Sequence, residues 1–172
     1  MADPHDAVVV VTSSERETWW FNQNLVDVIA GGEQTAGAYA IFELLAPPGD
    51  EVPVHLHTDE DEAFLILEGE VTVWVGDQTR VLNPGDYALM PRQVPHCYRV
   101  SPTGQARWLG ITSPAGFEGF VRDVSAPATE RRLPQPVDPS PEALAALGEI
   151  AAKYGVKFLG PVGSRPTDLE KD

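Results

Sequence analysis

Cysteine and basic residues are scarce in this chain of 172 residues, and each scarcity excludes a class of protein. Cys97 is the only cysteine, so no disulfide can form within the chain, and the reducing cytoplasm is the expected location. The 12 lysines and arginines stand against 26 aspartates and glutamates, a formal net charge of -14. Because phosphate binding needs clustered basic side chains, we expect no nucleic-acid partner.

Long apolar runs are missing as well. No segment reaches the roughly 18 apolar residues that a membrane-spanning helix needs, and the start of the chain lacks the basic flank and apolar core of a signal peptide. We therefore expect a soluble protein with no membrane partner.

What the chain has instead is turn residues, with 16 prolines and 15 glycines. They separate short segments rich in β-branched and bulky residues, which indicates an all-β sandwich or barrel. Thr18–Ala30 is predicted as one strand that ends at a Gly31-Gly32 turn. The other predicted strands are Ala38–Ala46, Val54–His57, Ala63–Leu67, Glu70–Val75, Thr79–Leu82, Tyr87–Met90, His96–Val100 and Arg107–Thr112.

The pattern changes after Ser113. Apolar residues at helical spacing predict a short helix over Gly116–Val124. After a proline-rich connector, Ser140 is suited to cap a second helix that starts at Pro141 and runs to Tyr154, with Gly155 as its stop signal. Its expected apolar stripe is Leu144, Leu147, Ala151 and Tyr154.

Three histidines and a glutamate form the candidate chemical site. In a strand, alternate side chains share a face, so His55 and His57 can hold one ion together. Glu62 opens the next strand on that face, and His96 begins a later strand. Three imidazoles and a carboxylate suit one divalent transition ion, namely iron, nickel, cobalt, manganese, copper or zinc.

Some neighbouring residues are expected to have structural roles only. In the acidic run before Glu62, we expect Asp59, Glu60 and Asp61 to be solvated. Cys97 is expected to face away from His96 as a packed, inert thiol. His5 is excluded because it falls in an N-terminus that we expect to be flexible.

The spacing G-x5-H-x-H-x4-E-x6-G, from Gly49 to Gly69, resembles the first motif of the cupin superfamily at every defined position. The second motif is matched at Gly85, Pro91 and His96, whereas Gln93 and Val100 replace its usual glycine and asparagine. The resemblance covers residues 38–112 and implies an all-β cupin double-stranded β-helix, a jelly-roll barrel, with short C-terminal helices. We expect a flexible N-terminus at 1–17, the barrel with its N-terminal strand at 18–113, and a helical extension packed on it at 114–172.

The WWFN segment before the barrel and the GFEGFVRDVSAP and KYGVKFLGP segments after it resemble the single-domain bacterial quercetin 2,3-dioxygenases. This resemblance implies a metal-dependent enzyme that cleaves a flavonol with O2 and releases carbon monoxide. It also implies that Glu62 is both a metal ligand and the general base that accepts the 3-hydroxyl proton. The expected partners are thus a small aromatic substrate and O2.

An apolar, aromatic barrel lining would suit such a substrate, although the same side chains can simply fill the core. The candidate substrate-binding residues are Tyr39, Phe64, Met90, Tyr98, Trp108, Phe117 and Phe120. The run Trp19-Trp20-Phe21 is either a homodimer contact or part of the core.

Two other functions remain open at this stage. One is an oxygen-independent metal enzyme, such as a polyketide cyclase, an isomerase or a lyase. The other is a noncatalytic cupin that binds a small molecule.

Overall fold

The computed structural model describes residues 8–137 and 140–169. His5 and part of the expected N-terminal and connector segments lie outside these residues. The strands within them are β1 (Glu17–Phe21), β2 (Asn24–Ala30), β3 (Ala40–Ala46), β4 (His55–His57), β5 (Asp61–Glu68), β6 (Val71–Val75), β7 (Gln78–Leu82), β8 (Tyr87–Met90), β9 (His96–Val100), β10 (Ala106–Ser113), β11 (Ala126–Pro127) and β12 (Val156–Phe158). The helices are α1 (Gly32–Thr35), α2 (Phe117–Val124) and α3 (Pro141–Lys153).

Two antiparallel sheets make up the architecture. In the described residues, one sheet has the strand order β11-β1-β2-β3-β10-β5-β8, and the other has the order β12-β4-β9-β6-β7. Side chains alternate between core and surface along each strand. In β10, Ala106, Trp108, Gly110 and Thr112 are buried while the residues between them are partly exposed. The all-β prediction is confirmed.

The segment Thr18–Ala30 is a hairpin, so its prediction as one strand was wrong. The chain turns at Asn22, whose φ of 53° is a left-handed conformation that asparagine tolerates better than most residues. Gly31 caps α1 and Gly32 is its first residue, so this pair begins a short helix and does not form a simple turn. Phe21 belongs to the core, where its ring meets those of Phe117 and Phe120 edge-on.

Both C-terminal helices lie where the sequence predicts them. The Ser140 hydroxyl accepts a hydrogen bond from the Ala143 N–H at 3.2 Å and caps α3. Along α3, Leu147, Ala151 and Tyr154 pack on the core as predicted. The prediction for Leu144 was wrong, because this side chain borders an open groove and is 52% exposed.

The C-terminal extension also contributes strands that the sequence did not predict. β11 pairs with β1, and β12 pairs with β4 over Val156–Phe158. Such short strands carry almost no periodic signal, so their pairing partners define them. The extension therefore joins the barrel at the strand that carries His55 and His57.

Cys97 is buried, and its Sγ lies 3.7 Å from the Ser164 carbonyl oxygen. Burial raises the pKa of this thiol, and a protonated thiol is a poor nucleophile. Among the described residues, no helix has the length and apolar content to cross a bilayer.

Candidate metal centre

Two neighbouring strands of the smaller sheet bring the three histidines together. His55 and His57 stand two residues apart on β4, and His55 pairs directly with His96 on β9. The ring centroids of His55 and His96 are 4.4 Å apart, and those of His57 and His96 are 5.5 Å apart. The three imidazoles therefore face one point.

Glu62 approaches that point from the larger sheet, at the start of β5. Its Oε2 lies 3.2 Å from Nε2 of His96 and 3.8 Å from Nε2 of His57. One ligand atom from each of the four residues lies within 4.8 Å of all the others. The cluster thus connects the two sheets across the interior of the barrel.

Hydrogen bonds orient the imidazoles for metal binding. Nδ1 of His55 lies 2.9 Å from the Pro53 carbonyl, and Nδ1 of His96 lies 2.9 Å from the Val94 carbonyl. A carbonyl can only accept a hydrogen bond, so each Nδ1 carries a proton and each Nε2 is directed toward the cluster.

The charge states also fit a metal ion. Burial, together with His96 and His57, lowers the pKa of His55 to about 3, so its imidazole is neutral. Burial opposes ionisation of Glu62, but the hydrogen bond from His96 and the neighbouring histidines outweigh it and lower the pKa of Glu62 to about 2. A carboxylate with imidazole nitrogens is a donor set for borderline transition ions rather than for calcium or magnesium.

The acidic run before Glu62 corrects one of our expectations. Asp61 is at the surface in a bidentate pair with Arg92, with both contacts at 3.0 Å, and Asp59 is exposed as expected. Glu60 instead is only 5% exposed, and its Oε1 lies 2.8 Å from Nδ1 of His57. Burial raises the pKa of Glu60, and the hydrogen bond with His57 opposes that shift. Its position three residues after a histidine, at a tight turn, was the sequence signal for this contact.

A mostly apolar cavity of about 100 Å³ opens beside His55 and Glu62. Four of the predicted substrate-binding residues line it, namely Phe64, Tyr98, Phe117 and Phe120. Further lining residues, which the sequence did not predict, come from the N-terminal hairpin and the C-terminal extension. They include Phe21, Leu147, Val156 and Phe158.

Three predicted substrate-binding residues do not line this cavity. Tyr39 precedes β3 on the surface and is 44% exposed. Met90 and Trp108 are buried in the core cluster behind the cavity wall, where Trp108 packs against Phe64 and Tyr98. Strand alternation places both side chains inside the barrel, but Phe64 and Tyr98, which pack on Trp108, line the open space in its place.

Tyr98 provides a polar group in the cavity wall. Its hydroxyl donates to Oδ2 of Asp50 at 3.1 Å and lies 3.4 Å from the side-chain amide of Asn24. Burial, and next Asp50, raise the pKa of Tyr98 well above its usual value, so the phenol is neutral. All three residues are buried.

Comparison with known proteins gives both a family and named relatives. A family model described as "Cupin domain" matches residues 42–112. A quercetin 2,3-dioxygenase of Bacillus subtilis (strain 168) is 30% identical over 118 residues, which are 69% of this chain and 35% of that protein. A quercetin 2,3-dioxygenase of Aspergillus japonicus is 29% identical over 106 residues, 58% of this chain and 30% of that protein. The chain thus spans about a third of the length of these curated relatives.

Among solved structures, an RmlC-like cupin from Shewanella frigidimarina NCIMB 400 superposes with a TM-score of 0.57 at 19% identity. The match covers 66% of this chain and 96% of that one. At this identity the likeness concerns the fold alone.

Proposed function

The chain is a cupin similar to the quercetin 2,3-dioxygenases, and from that premise we propose that it is a metal-dependent dioxygenase acting on a flavonol or a related aromatic enol. The observation that carries this proposal is the convergence of His55, His57, Glu62 and His96 at the wall of an aromatic cavity. The fold prediction, an all-β cupin barrel, is confirmed by the family match and the structural neighbour.

In this proposal the four residues hold one divalent transition ion. When bound, an ion such as nickel, iron, manganese or cobalt would supply Lewis acidity at the cavity wall. The protein contributes a preorganised donor set, because the imidazoles of His55 and His96 are oriented by hydrogen bonds from their Nδ1–H groups to backbone carbonyls before any ion arrives.

Glu62 is the proposed general base. Its carboxylate is ionised at neutral pH, and it is one of the few polar groups that line the cavity. A substrate hydroxyl placed beside Glu62 in the cavity would meet an unprotonated carboxylate, the form that can accept its proton.

The aromatic walls set the substrate class. Phe64, Phe117 and Phe120 make the space next to Glu62 apolar. Flat aromatic rings pack well against such side chains, edge-on or offset. Tyr98 adds its ring to this wall, while its hydroxyl is hydrogen-bonded to Asp50 and Asn24.

The decisive test is an aerobic assay with a panel of flavonols after reconstitution with nickel, iron, manganese or cobalt. We expect flavonol loss, O2 uptake and carbon monoxide release in equimolar amounts with at least one ion. The matched control is Asp59→Asn, which removes a nearby exposed charge and should behave as the wild type. Metal-dependent conversion without O2 uptake would indicate an oxygen-independent enzyme instead, and ligand binding without turnover would indicate a binding protein.

A further inference from the structure

The three histidines of the cluster differ in what holds their Nδ1 atoms. His55 and His96 each face a neutral backbone carbonyl at 2.9 Å. His57 alone faces a carboxylate, Oε1 of Glu60, at 2.8 Å. The side chain of His57 is 2% exposed and that of Glu60 is 7% exposed, so water does not screen the contact.

We propose that Glu60 is a positioning residue that fixes the orientation of His57 and makes it the strongest nitrogen donor of the site. A carboxylate that accepts a hydrogen bond from an imidazole increases the electron density on the opposite nitrogen more than a carbonyl does. This inference rests on the metal site of the proposed function, and concerns a residue that does not itself touch the ion.

Glu60 also connects His57 to the helix that covers the cavity. A β-carbon on Gly116, which precedes α2, would lie 3.9 Å from Oε2 of Glu60, so this second oxygen faces the start of α2. The first residue of that helix, Phe117, packs its ring against His57 with centroids 5.5 Å apart. His57 is therefore held between Glu60 and Phe117, and the orientation of its ring depends on both.

The test uses zinc as the probe. Zn²⁺ is diamagnetic and therefore compatible with NMR, and its affinity can be measured without any enzymatic turnover. Affinity is measured by competition with a chromophoric chelator for the wild type, Glu60→Ala, Glu60→Gln and the control Asp59→Asn. Loss of an outer hydrogen-bond partner typically weakens metal binding by about 10- to 100-fold, and we expect this for Glu60→Ala. Glu60→Gln keeps an acceptor without the charge and should give an intermediate affinity, whereas Asp59→Asn should match the wild type.

A second readout separates positioning from a general loss of structure. In NMR spectra of the zinc-loaded protein, the Nδ1–H proton of His57 should resonate furthest downfield of the three histidines. In Glu60→Gln this resonance alone should move upfield. Wild-type zinc affinity in both Glu60 variants, or equal displacement of all three Nδ1–H resonances, would overturn the proposal. If the wild-type protein itself bound no zinc, the metal site would fail, and the inference with it.

Discussion

At the scale of single residues, the cluster is a set of groups whose chemistry depends on their immediate neighbours. His55 is neutral, and backbone carbonyls direct the rings of His55 and His96, whereas Glu62 is ionised because histidines surround it. Glu62 differs from the histidines in belonging to the other sheet, and it lines the cavity together with His55. Its two proposed roles, ligand and base, can be separated by a substitution that keeps its shape.

Glu62→Gln is that substitution. The amide oxygen can still approach an ion, but it cannot accept a proton at neutral pH. We expect metal-loaded Glu62→Gln to lose flavonol turnover by about 10²- to 10⁴-fold, the usual contribution of general base catalysis. The measurement is turnover per bound metal, with metal content determined for each sample. Undiminished turnover in the metal-loaded variant would refute the base role.

The hydrogen bond between Tyr98 and Asp50 gives a prediction on stability and pH. Burial raises the pKa of Asp50 above its usual 3.8, and the Tyr98 hydroxyl opposes that shift, so the ionised form destabilises the fold less than it otherwise would. In Tyr98→Phe, Asp50 loses this donor, and we expect a loss of about 1 to 3 kcal/mol in metal-free protein at neutral pH.

The sign of the pH effect follows from the raised pKa. A group whose pKa is higher in the folded state binds protons on folding, so its ionisation costs stability as pH rises through the folded pKa. Tyr98→Phe raises that pKa further, and the difference from the wild type should shrink as pH falls and Asp50 becomes protonated in both proteins. Urea denaturation of both proteins at several pH values measures the difference in their free energies of unfolding. A difference that grows toward acid pH would contradict this prediction.

At the scale of elements, the cavity is closed by pieces from distant parts of the chain. α2 contributes Phe117 and Phe120, α3 contributes Leu147, and β12 contributes Phe158, whose ring lies 6.2 Å from that of His55. The cavity of about 100 Å³ is smaller than the roughly 300 to 1,000 Å³ typical of ligand sites, so a three-ring flavonol requires movement of this cover.

Substitutions at Leu147 test that cover. Leu147→Trp adds bulk at the mouth and should raise KM for a flavonol, whereas Leu147→Ala should lower KM by making room. The matched control is Leu144→Ala, one turn earlier on α3, where the side chain is 52% exposed and does not line the cavity. Steady-state kinetics with a large and a small phenolic substrate distinguish the variants. Equal KM values for all three variants would show that α3 does not limit entry.

At the scale of the whole molecule, the cluster contains residues from both sheets. Three ligands stand on the smaller sheet and one on the larger, so an ion held by all four would bridge the barrel interior. The unfolded chain does not keep these residues together, and metal binding therefore favours the folded state.

Removal of the metal should lower the melting temperature. A ligand at 100 times its Kd stabilises the native state by about 2.7 kcal/mol. For a protein of this size, that corresponds to a rise in Tm of roughly 5 to 11 °C. Calorimetry with and without added Zn²⁺ measures the shift, and His96→Ala, which lacks a ligand, should show little of it. A zinc-dependent shift of the same size in His96→Ala would mean that the ion binds elsewhere.

The sequence alone predicted most strands and the grouping of His55, His57 and Glu62, because both depend on short-range spacing, whereas His96 was assigned through the second cupin motif. Alternation places His55 and His57 on one face, and turn residues separate strands that the structure shows at nearly the predicted positions. Helical periodicity and the Ser140 cap are also local signals, and they predict α2 and α3 close to their observed positions.

Only the tertiary structure decided which side chains enclose the cavity and which support the cluster. In the sequence, Glu60 is one of four consecutive acidic residues. Its burial against His57 arises from the packing of α2 over the β4–β5 turn. Leu147 and Phe158 lie about 90 to 100 residues beyond the ligands of β4, yet they line the same space, whereas Tyr39, nearer in sequence, lies on the surface. Side-chain alternation and turn chemistry act over a few residues, but the walls of a cavity are set by contacts between segments that are distant in the chain.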